Sequence, residues 1–367
     1  MIDDDRSVFA LVTGGGTGGH VYPALALARE LVARGHPQPG IRFVGAQRGL
    51  EATLVPEAGF AIDLLPGRGL QRRLTFANVA ALWGNLLAFV RARAIVRRAR
   101  PRVVVGVGGY ASLPCLLAAR LRRVPTVVHE QNAAPGLANR VAVRLGARAA
   151  ISLPGTPLRN AVLTGNPVRA EIASVRRRPV SGRAVVTVFG GSLGARRVNH
   201  AALELYDRWR DRDDVSVHHV TGARDHDECA ARLDGLRHAG DALEYELVPY
   251  EAHMHEVYAR TAIAVCRAGA ITVAELAVAG VPAVLVPLPG APGDHQTRNA
   301  AALVDAGAAV LVPDGQCDGA RLDAELTPLL VDPGHLDAMA AAARSLARPD
   351  AAGRLADLVE EVARAEA

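Results

Sequence analysis

The chain has 367 residues, more than one ordinary domain and the right length for two. Half of its residues are hydrophobic, so each half can bury a core, while an aromatic content of 4% argues against a base-stacking nucleic-acid surface. A formal charge of +5 suits anionic partners, and the four dispersed cysteines (Cys115, Cys229, Cys266, Cys317) argue against a disulfide framework or a zinc site.

The acidic start Met1-Ile2-Asp3-Asp4-Asp5 is unlike a basic secretory signal, and a reducing, cytosolic setting is expected. Short apolar runs then alternate with helical patterns along the whole chain, the mark of βαβ units and parallel sheets. Strands are expected at 8–13, 41–45, 62–65, 103–106, 126–129 and 149–151, and again at 185–189, 215–221, 243–248, 263–266, 283–286 and 309–312. The fold class this predicts is α/β, with two Rossmann-like, doubly wound parallel-sheet domains facing a cleft. The first would span 1–164 and the second 165–340, with helices over 341–367 returning toward the first.

The first strand opens into Thr13-Gly14-Gly15-Gly16-Thr17-Gly18-Gly19-His20, followed by a helical run. A strand, a glycine turn and a helix start form an anion site, because unpaired N–H groups and the helix dipole face the turn. Gly14, Gly16 and Gly19 match the dinucleotide pattern by letter. The second strand, however, ends in Gly45 where a ribose-binding acid should stand, which weighs against an NAD-linked oxidoreductase. His20 could cap the helix; a glycine-lined mouth at a strand's carboxyl end is also where such sheets bind ligands.

Residues 74–90 carry no charge and lie between Arg72-Arg73 and Arg91, Arg93. Thr75, Asn78 and Asn85 interrupt a stretch already short for a membrane span, which leaves a buried helix or a monotopic membrane contact. Further on, a second glycine turn (Gly106-Val107-Gly108-Gly109-Tyr110) and the polar strand end His129-Glu130-Gln131-Asn132 gather chemistry at expected strand ends. The glycine pattern recurs, altered, at Gly190-Gly191-Ser192-Leu193-Gly194. Gly269-Ala270 then opens another helix toward a phosphate, with Glu275 in its first turns either solvated or accepting from ribose hydroxyls. A Pro/Gly-rich loop ends in Asp294-His295-Gln296, groups suited to sugar hydroxyls. Asp211 and Asp213 form a DxD by letter in a charged, exposed-looking stretch, and no clean metal-ligand cluster is visible.

In order, GGGTGGH, GVGGYASLP, HEQNAAPGLANR, GNPVR, GGSLGARRVN, RAGAITVAEL and DHQTRNA closely resemble the signature segments of the MurG family of GT-B glycosyltransferases. The resemblance runs from Val8 to about Val312. It implies inverting transfer of GlcNAc from UDP-GlcNAc to the C4 hydroxyl of MurNAc in undecaprenyl-pyrophosphoryl-MurNAc-pentapeptide (lipid I), giving lipid II for peptidoglycan. A related transferase acting on another lipid, such as diacylglycerol, is the alternative; a non-enzymatic membrane or nucleotide sensor would need neither His20 nor Glu130.

By that resemblance the donor lies mainly against the second domain and lipid I against the first. Thr17, Gly18 and Gly19 face the donor sugar and acceptor, Tyr110 is a further substrate contact, and Asn132 touches the GlcNAc. Arg169 and Ser192 hold the uridine diphosphate. Ala270, Ile271, Thr272, Val273 and Ala274 line the donor, Glu275 takes the ribose, and His295 and Gln296 read sugar hydroxyls. The run Tyr250-Glu251-Ala252-His253-Met254 departs from the family pattern and puts Glu251 beside the uracil. His20 is the expected general base and Glu130 the second candidate. No cofactor or metal is required for this chemistry. The expected partners are the two substrates, an anionic inner-membrane surface and proteins of cell-wall synthesis, with no nucleic acid. The enzyme would sit peripherally on the cytoplasmic face of the membrane, the charge-free stretch serving as its contact.

Overall fold

The computed structural model describes residues 8–66, 76–180, 182–191 and 194–365, with side chains omitted for 76–83 and 85. Two units result, Met1–Arg169 with Pro349–Ala367, and Ala170–Arg348.

The first unit is a seven-stranded parallel sheet. Its strands are β1 (Ala10–Thr13), β2 (Ile41–Ala46), β3 (Ala61–Leu65), β4 (Val103–Gly106), β5 (Thr126–Glu130), β6 (Arg148–Ile151) and β7 (Ala161–Leu163), in the order β3-β2-β1-β4-β5-β6-β7. Its helices are α1 (Gly18–Ala33), α2 (Glu51–Glu57), α3 (Phe76–Ala99), α4 (Ser112–Leu121) and α5 (Leu137–Arg144). The central strands are apolar on both sides because helices cover both faces. Ala10 and Val12 of β1 pack with Leu27 and Leu31 of α1, while Leu11 between them packs with Ala92 and Val96 of α3 and Cys115 of α4. The order reverses between β1 and β4, the point at which α/β sheets bind ligands.

The second unit contains α6 (Ala170–Ala173), β8 (Ala184–Phe189), α7 (Arg196–Trp209), β9 (Val215–Val220), α8 (His226–Leu236), β10 (Glu244–Val248), α9 (Met254–Arg260), β11 (Thr261–Cys266), α10 (Ala270–Ala279), β12 (Ala283–Leu285), α11 (His295–Asp305), β13 (Ala309–Leu311), α12 (Gly319–Val331) and α13 (Pro333–Ser345). Its six parallel strands run β10-β9-β8-β11-β12-β13, with the reversal between β8 and β11. The four cysteines are buried free thiols.

The last helix, α14 (Ala351–Arg364), belongs to the first unit. Leu355, Ala356 and Val359 enter that unit's core with no exposed surface. Arg34 on the C-terminal side of α1 donates to Asp357 (2.6 Å) and to the Gly353 carbonyl (2.8 Å), and His36 meets Glu360 at 2.9 Å.

Two boundaries differ from those read in the sequence. The first unit extends to Arg169 rather than 164, because β7 adds a seventh strand and the N–H groups of Thr164 and Gly165 both donate to the Ile151 carbonyl (3.0 and 3.2 Å). β7 has only three residues and no full burial, so it carries no apolar run to mark it. The return to the first unit starts at Pro349 rather than 341, since α13 keeps Leu336 and Met339 in the second core.

Each sheet buries histidine near a strand's carboxyl end, His129 in the first and the adjacent pair His218 and His219 in the second. His129 of β5 donates from Nε2 to the Gly165 carbonyl (3.0 Å), and His219 of β9 is bonded to Tyr245 (2.8 Å) and Asn199 (3.1 Å). Burial holds both neutral, at about 4 for His129 and about 3 for His219. The unfolded chain therefore takes these protons first, near pH 6.5, so stability is full above that value and falls as pH drops toward 4. Depressions of that size correspond, once the pH is below the pKa values of both states, to about 3–5 kcal/mol per histidine. Denaturant midpoints measured from pH 7.5 to 5 should fall accordingly, and His219→Leu should flatten the second unit's share of the slope. Separately, Leu355→Ala should cost about 2–5 kcal/mol in the first unit's unfolding transition; an unchanged melting profile would mean that α14 does not close that core.

Candidate active site

The loop after β1 is built by contact between two backbones. Gly14, Gly15 and Gly16 all have positive φ (144°, 144° and 96°). A methyl group on Gly14 would lie 2.3 Å from the Gly108 carbonyl, and one on Gly109 would lie 2.2 Å from the Gly15 carbonyl. The turn after β4 therefore packs directly on the turn after β1, and Gly15 N–H donates to Gly108 O at 3.2 Å. Ser112 at the start of α4 ties them further, donating to Thr13 O (2.8 Å) and accepting from Gly108 N–H (3.1 Å).

Beneath this crossing lies Glu51, the first residue of α2, only 2% exposed. Its carboxylate accepts from the N–H groups of Gly16 (2.7 Å) and Ala46 (2.8 Å). Side chains at Gly15, Gly45 or Gly49 would collide with it. Nothing in the sequence pattern singled Glu51 out; the run of glycines within six residues of it, at 45 and 49, is the trace it leaves. The acid missing from the end of β2 thus comes from α2, and it holds the loop rather than a ribose.

His20 sits in the first turn of α1. Its Nδ1 is 3.1 Å from the Gly15 carbonyl and 3.4 Å from the Thr17 hydroxyl. A carbonyl can only accept, so Nδ1 carries the proton and Nε2 the lone pair. Gly108 lets the ring approach: a methyl there would stand 2.9 Å from Nε2. Thr17 is the exposed N-cap of α1, and Gly18 and Gly19 follow with first-turn N–H groups.

Glu130 is placed differently from a free base. One carboxylate oxygen accepts from Asn132 N–H (3.0 Å) and Asn132 Nδ2 (3.4 Å), the other from Gly136 N–H (2.9 Å) and Asn139 Nδ2 (2.8 Å). At 3% exposure with both oxygens doubly bonded, it organises the loop that carries half-buried Asn132. Tyr110 also turns inward, its hydroxyl donating to Pro66 O at 2.9 Å while burial raises its pKa. Arg169, which ends the unit's first segment, places its guanidinium 5.5 Å from the Tyr22 ring centre, a cation–π contact.

In the second unit the turn after β8 is equally tight: a methyl on Gly194 (φ 72°) would lie 2.1 Å from Thr221 O. Ser192 lies outside the described residues. After β11, Arg267 bonds to the carbonyls of Val286 (3.0 Å) and Pro287 (3.1 Å) and pairs with Asp314 at 2.7 Å. Gly269 then caps α10. Ala270, Ile271, Thr272 and Ala274 are half-buried, whereas the Val273 side chain faces the core. Glu275 is buried beside Tyr258, whose hydroxyl donates to it at 3.1 Å. At the start of α11, Gln296 accepts from Leu288 N–H (2.9 Å), and His295 Nδ1 bonds to Pro292 O (2.9 Å).

Glu251, expected beside a uracil, accepts from His253 N–H (2.6 Å) and stands 3.5 Å from Nε2 of buried His218. Its carboxylate is thus turned into the protein, leaving its backbone as the group a base could meet. Asp211 and Asp213 are exposed before β9, at the sheet end opposite the glycine turns. Where the sequence showed no metal-ligand cluster, the structure gathers His253, His255 and Glu256 with ligand atoms within 4.8 Å of one another; His253 and Glu256 are exposed.

Comparison with known proteins agrees with this layout. The model of the glycosyltransferase family 28 N-terminal domain matches residues 10–151, and that of its C-terminal domain matches 185–355. A protein of Desulforudis audaxviator named UDP-N-acetylglucosamine–N-acetylmuramyl-(pentapeptide) pyrophosphoryl-undecaprenol N-acetylglucosamine transferase is 40% identical, covering 96% of this chain and 98% of its own. The Ectopseudomonas mendocina protein of the same name is 42% identical over the same shares. The crystal structure of Acinetobacter baumannii MurG superposes with a TM-score of 0.79 at 30% identity, covering 96% of this chain and 99% of that one. With both halves matched by one family and relatives aligned nearly end to end, the chain belongs to glycosyltransferase family 28.

Proposed function

We infer that this protein transfers GlcNAc from UDP-GlcNAc to the C4 hydroxyl of MurNAc in undecaprenyl-pyrophosphoryl-MurNAc-pentapeptide, with inversion, releasing UDP and forming lipid II. The observation that carries this reading is the 40% identity along 96% of the chain to a transferase named for that donor and acceptor. The site geometry supplies the chemistry. The Gly15 carbonyl fixes the His20 tautomer so that Nε2 can take the hydroxyl proton as the sugar oxygen attacks the anomeric carbon. As the bond to UDP breaks, negative charge grows on the diphosphate. The start of α10, the glycine turn after β8 and Arg169 are the groups proposed to stabilise it more in the transition state than in the ground state. Glu275, held by Tyr258, is proposed to accept from the ribose hydroxyls, and Thr17, Gly18, Gly19, Asn132, His295 and Gln296 to contact the sugars. Tyr110 is proposed to shape the acceptor side through its ring, its hydroxyl being engaged. In this mechanism charge is met by backbone dipoles and arginine, and no metal or cofactor takes part.

The same reading places the enzyme peripherally on an anionic membrane, at the cytoplasmic face where its nucleotide donor is found, with cell-wall assembly proteins as neighbours. What supports it is α3. Leu86, Leu87 and Val90 are 53%, 46% and 56% exposed, and Arg91, Arg93, Arg97 and Arg98 are exposed along the same helix. Leu74, Thr75 and the Arg72-Arg73 flank lie outside the described residues. No helix among the described residues is long and apolar enough to cross a membrane.

Labelled sugar should pass from UDP-GlcNAc to a short-chain lipid I analogue and to neither diacylglycerol nor a control without acceptor; transfer to diacylglycerol alone would overturn the acceptor. His20→Ala should lower kcat by about 10²–10⁴ with little change in KM for UDP-GlcNAc, and Glu275→Ala should raise that KM. For the membrane, Leu86→Ser with Leu87→Ser should weaken sedimentation with anionic vesicles, and salt should do the same to the parent protein. Undiminished binding by the double variant would move the contact elsewhere.

A further inference from the structure

Gln131 ends β5's polar run one residue beyond the strand and is 2% exposed. Its amide nitrogen donates to the Val107 carbonyl (3.0 Å) and to His129 Nδ1 (3.1 Å). Two carbonyls settle the orientation of this amide. Gly165 O can only accept, so the buried His129 carries its proton on Nε2 and offers Nδ1 as an acceptor; Val107 O likewise requires the NH2 end of Gln131. The carbonyl oxygen of Gln131 must therefore point the other way, and there it is buried with no hydrogen-bond partner among the described residues. A buried acceptor left unpaired is costly, and such exceptions call for a reason.

The reason lies at Gly108. The point where a Cβ would stand on Gly108 is 2.9 Å from His20 Nε2 and 3.8 Å from the Gln131 oxygen, so both atoms border the same small space. His20 Nδ1 is already committed to Gly15 O, which leaves Nε2 as the nitrogen on that side. Ionisable groups from the neighbouring elements are His129 of β5, Glu51 of α2 and, across Tyr22 of α1, Arg169. His129 stays neutral through burial and so does not oppose a positive charge on His20.

We propose that Gln131 is a positioning residue for His20: its carbonyl oxygen, fixed by the two bonds of its own amide nitrogen, stabilises the imidazolium that forms in the transfer. This rests on His20 being the base. In that step the proton of the C4 hydroxyl moves to Nε2, the freed oxygen pair forms the new bond to the anomeric carbon, and the electrons of the breaking bond leave with UDP. The transferred proton lies toward the sugar oxygen, so the Gln131 oxygen acts on the ring's positive charge through its dipole; that charge exists only during the reaction, which is the condition for favouring the transition state over the ground state.

The test is the pH dependence of kcat/KM for the full-length Gln131→Met variant. The acid limb reports the base in the free enzyme, and a base that has lost its stabilising oxygen gives up its proton more readily. The limb should move to lower pH by about one unit, with kcat down roughly 10- to 100-fold at neutral pH and KM for UDP-GlcNAc within about twofold. Should Gln131→Met fail to fold, His129→Leu keeps Gln131 but frees its amide to turn, and the same direction of shift is expected. An unmoved acid limb in a folded variant that still binds UDP-GlcNAc overturns the proposal. The base reading fails by a different result, namely full turnover by His20→Ala.

Discussion

The crossing of two glycine turns at the carboxyl ends of β1 and β4 is the constraint on which the first unit's site depends. The contact leaves room for backbone and nothing else: methyl groups on Gly14 and Gly109 would fall 2.3 and 2.2 Å from carbonyl oxygens of the opposite turn. Once the turns interlock, Glu51 can reach under them and take the Gly16 and Ala46 N–H groups, and the Gly15 carbonyl is aimed at His20. The orientation of one imidazole thus follows from glycines at six separate positions, 14, 15, 45, 49, 108 and 109, each required by steric contact with a named neighbour. A side chain at any of them would displace the carbonyl or the space that orients that ring.

The two units share a topology and differ in what their glycine turns offer. In the first, a carboxylate of the protein itself takes the Gly16 N–H, and backbone carbonyls take those of Gly14 and Gly15, groups that a nucleotide-binding turn would give to phosphate. A negative ligand there would meet Glu51 rather than empty donors. In the second, no carboxylate is hydrogen-bonded to Gly190, Gly191 or Gly194 among the described residues, and α10 begins at a bare Gly269. One fold used twice therefore treats its turns differently: Gly16 N–H is spent on the Glu51 carboxylate in the first, whereas Gly194 N–H closes on the Gly191 carbonyl (2.9 Å) in the second.

Much of the architecture was legible because both faces of each sheet are covered, so central strands announce themselves as short apolar runs. β7 did not, being three residues long at a sheet edge with little apolar surface to bury. The glycine turns and His20 were legible as a pattern, since turn chemistry is local. What the sequence hid was the use of charge and of amides over distance. Glu51 reads as an ordinary solvated carboxylate at a helix start, and only the fold brings Gly16 to it, 35 residues away in sequence. Glu130 reads as a second candidate for the general base at a strand end, and its four donors within nine residues show an organiser of the Asn132 loop. Gln131 reads as one polar residue among four, because the orientation of an amide is decided by its partners and not by its neighbours in the chain.

Arg169 and His20 are both tied to the first turns of α1. Arg169 ends the first segment of the first unit, and α6 of the second begins at the next residue. Its guanidinium rests over Tyr22, two residues beyond His20 in α1. The Tyr22 ring in turn covers Gly18, where a methyl would approach it to 3.1 Å. The first turns of α1 therefore set three things at once: the His20 ring proposed to take the proton, the N–H groups of Gly18 and Gly19, and the platform under the cation proposed to meet the departing diphosphate. Charge developing on that diphosphate and charge developing on His20 are opposite in sign, so a common support that moved both groups together would keep their geometry matched. A substitution at Tyr22 would then disturb donor binding and proton transfer jointly, which loss of Arg169 or His20 alone would not do.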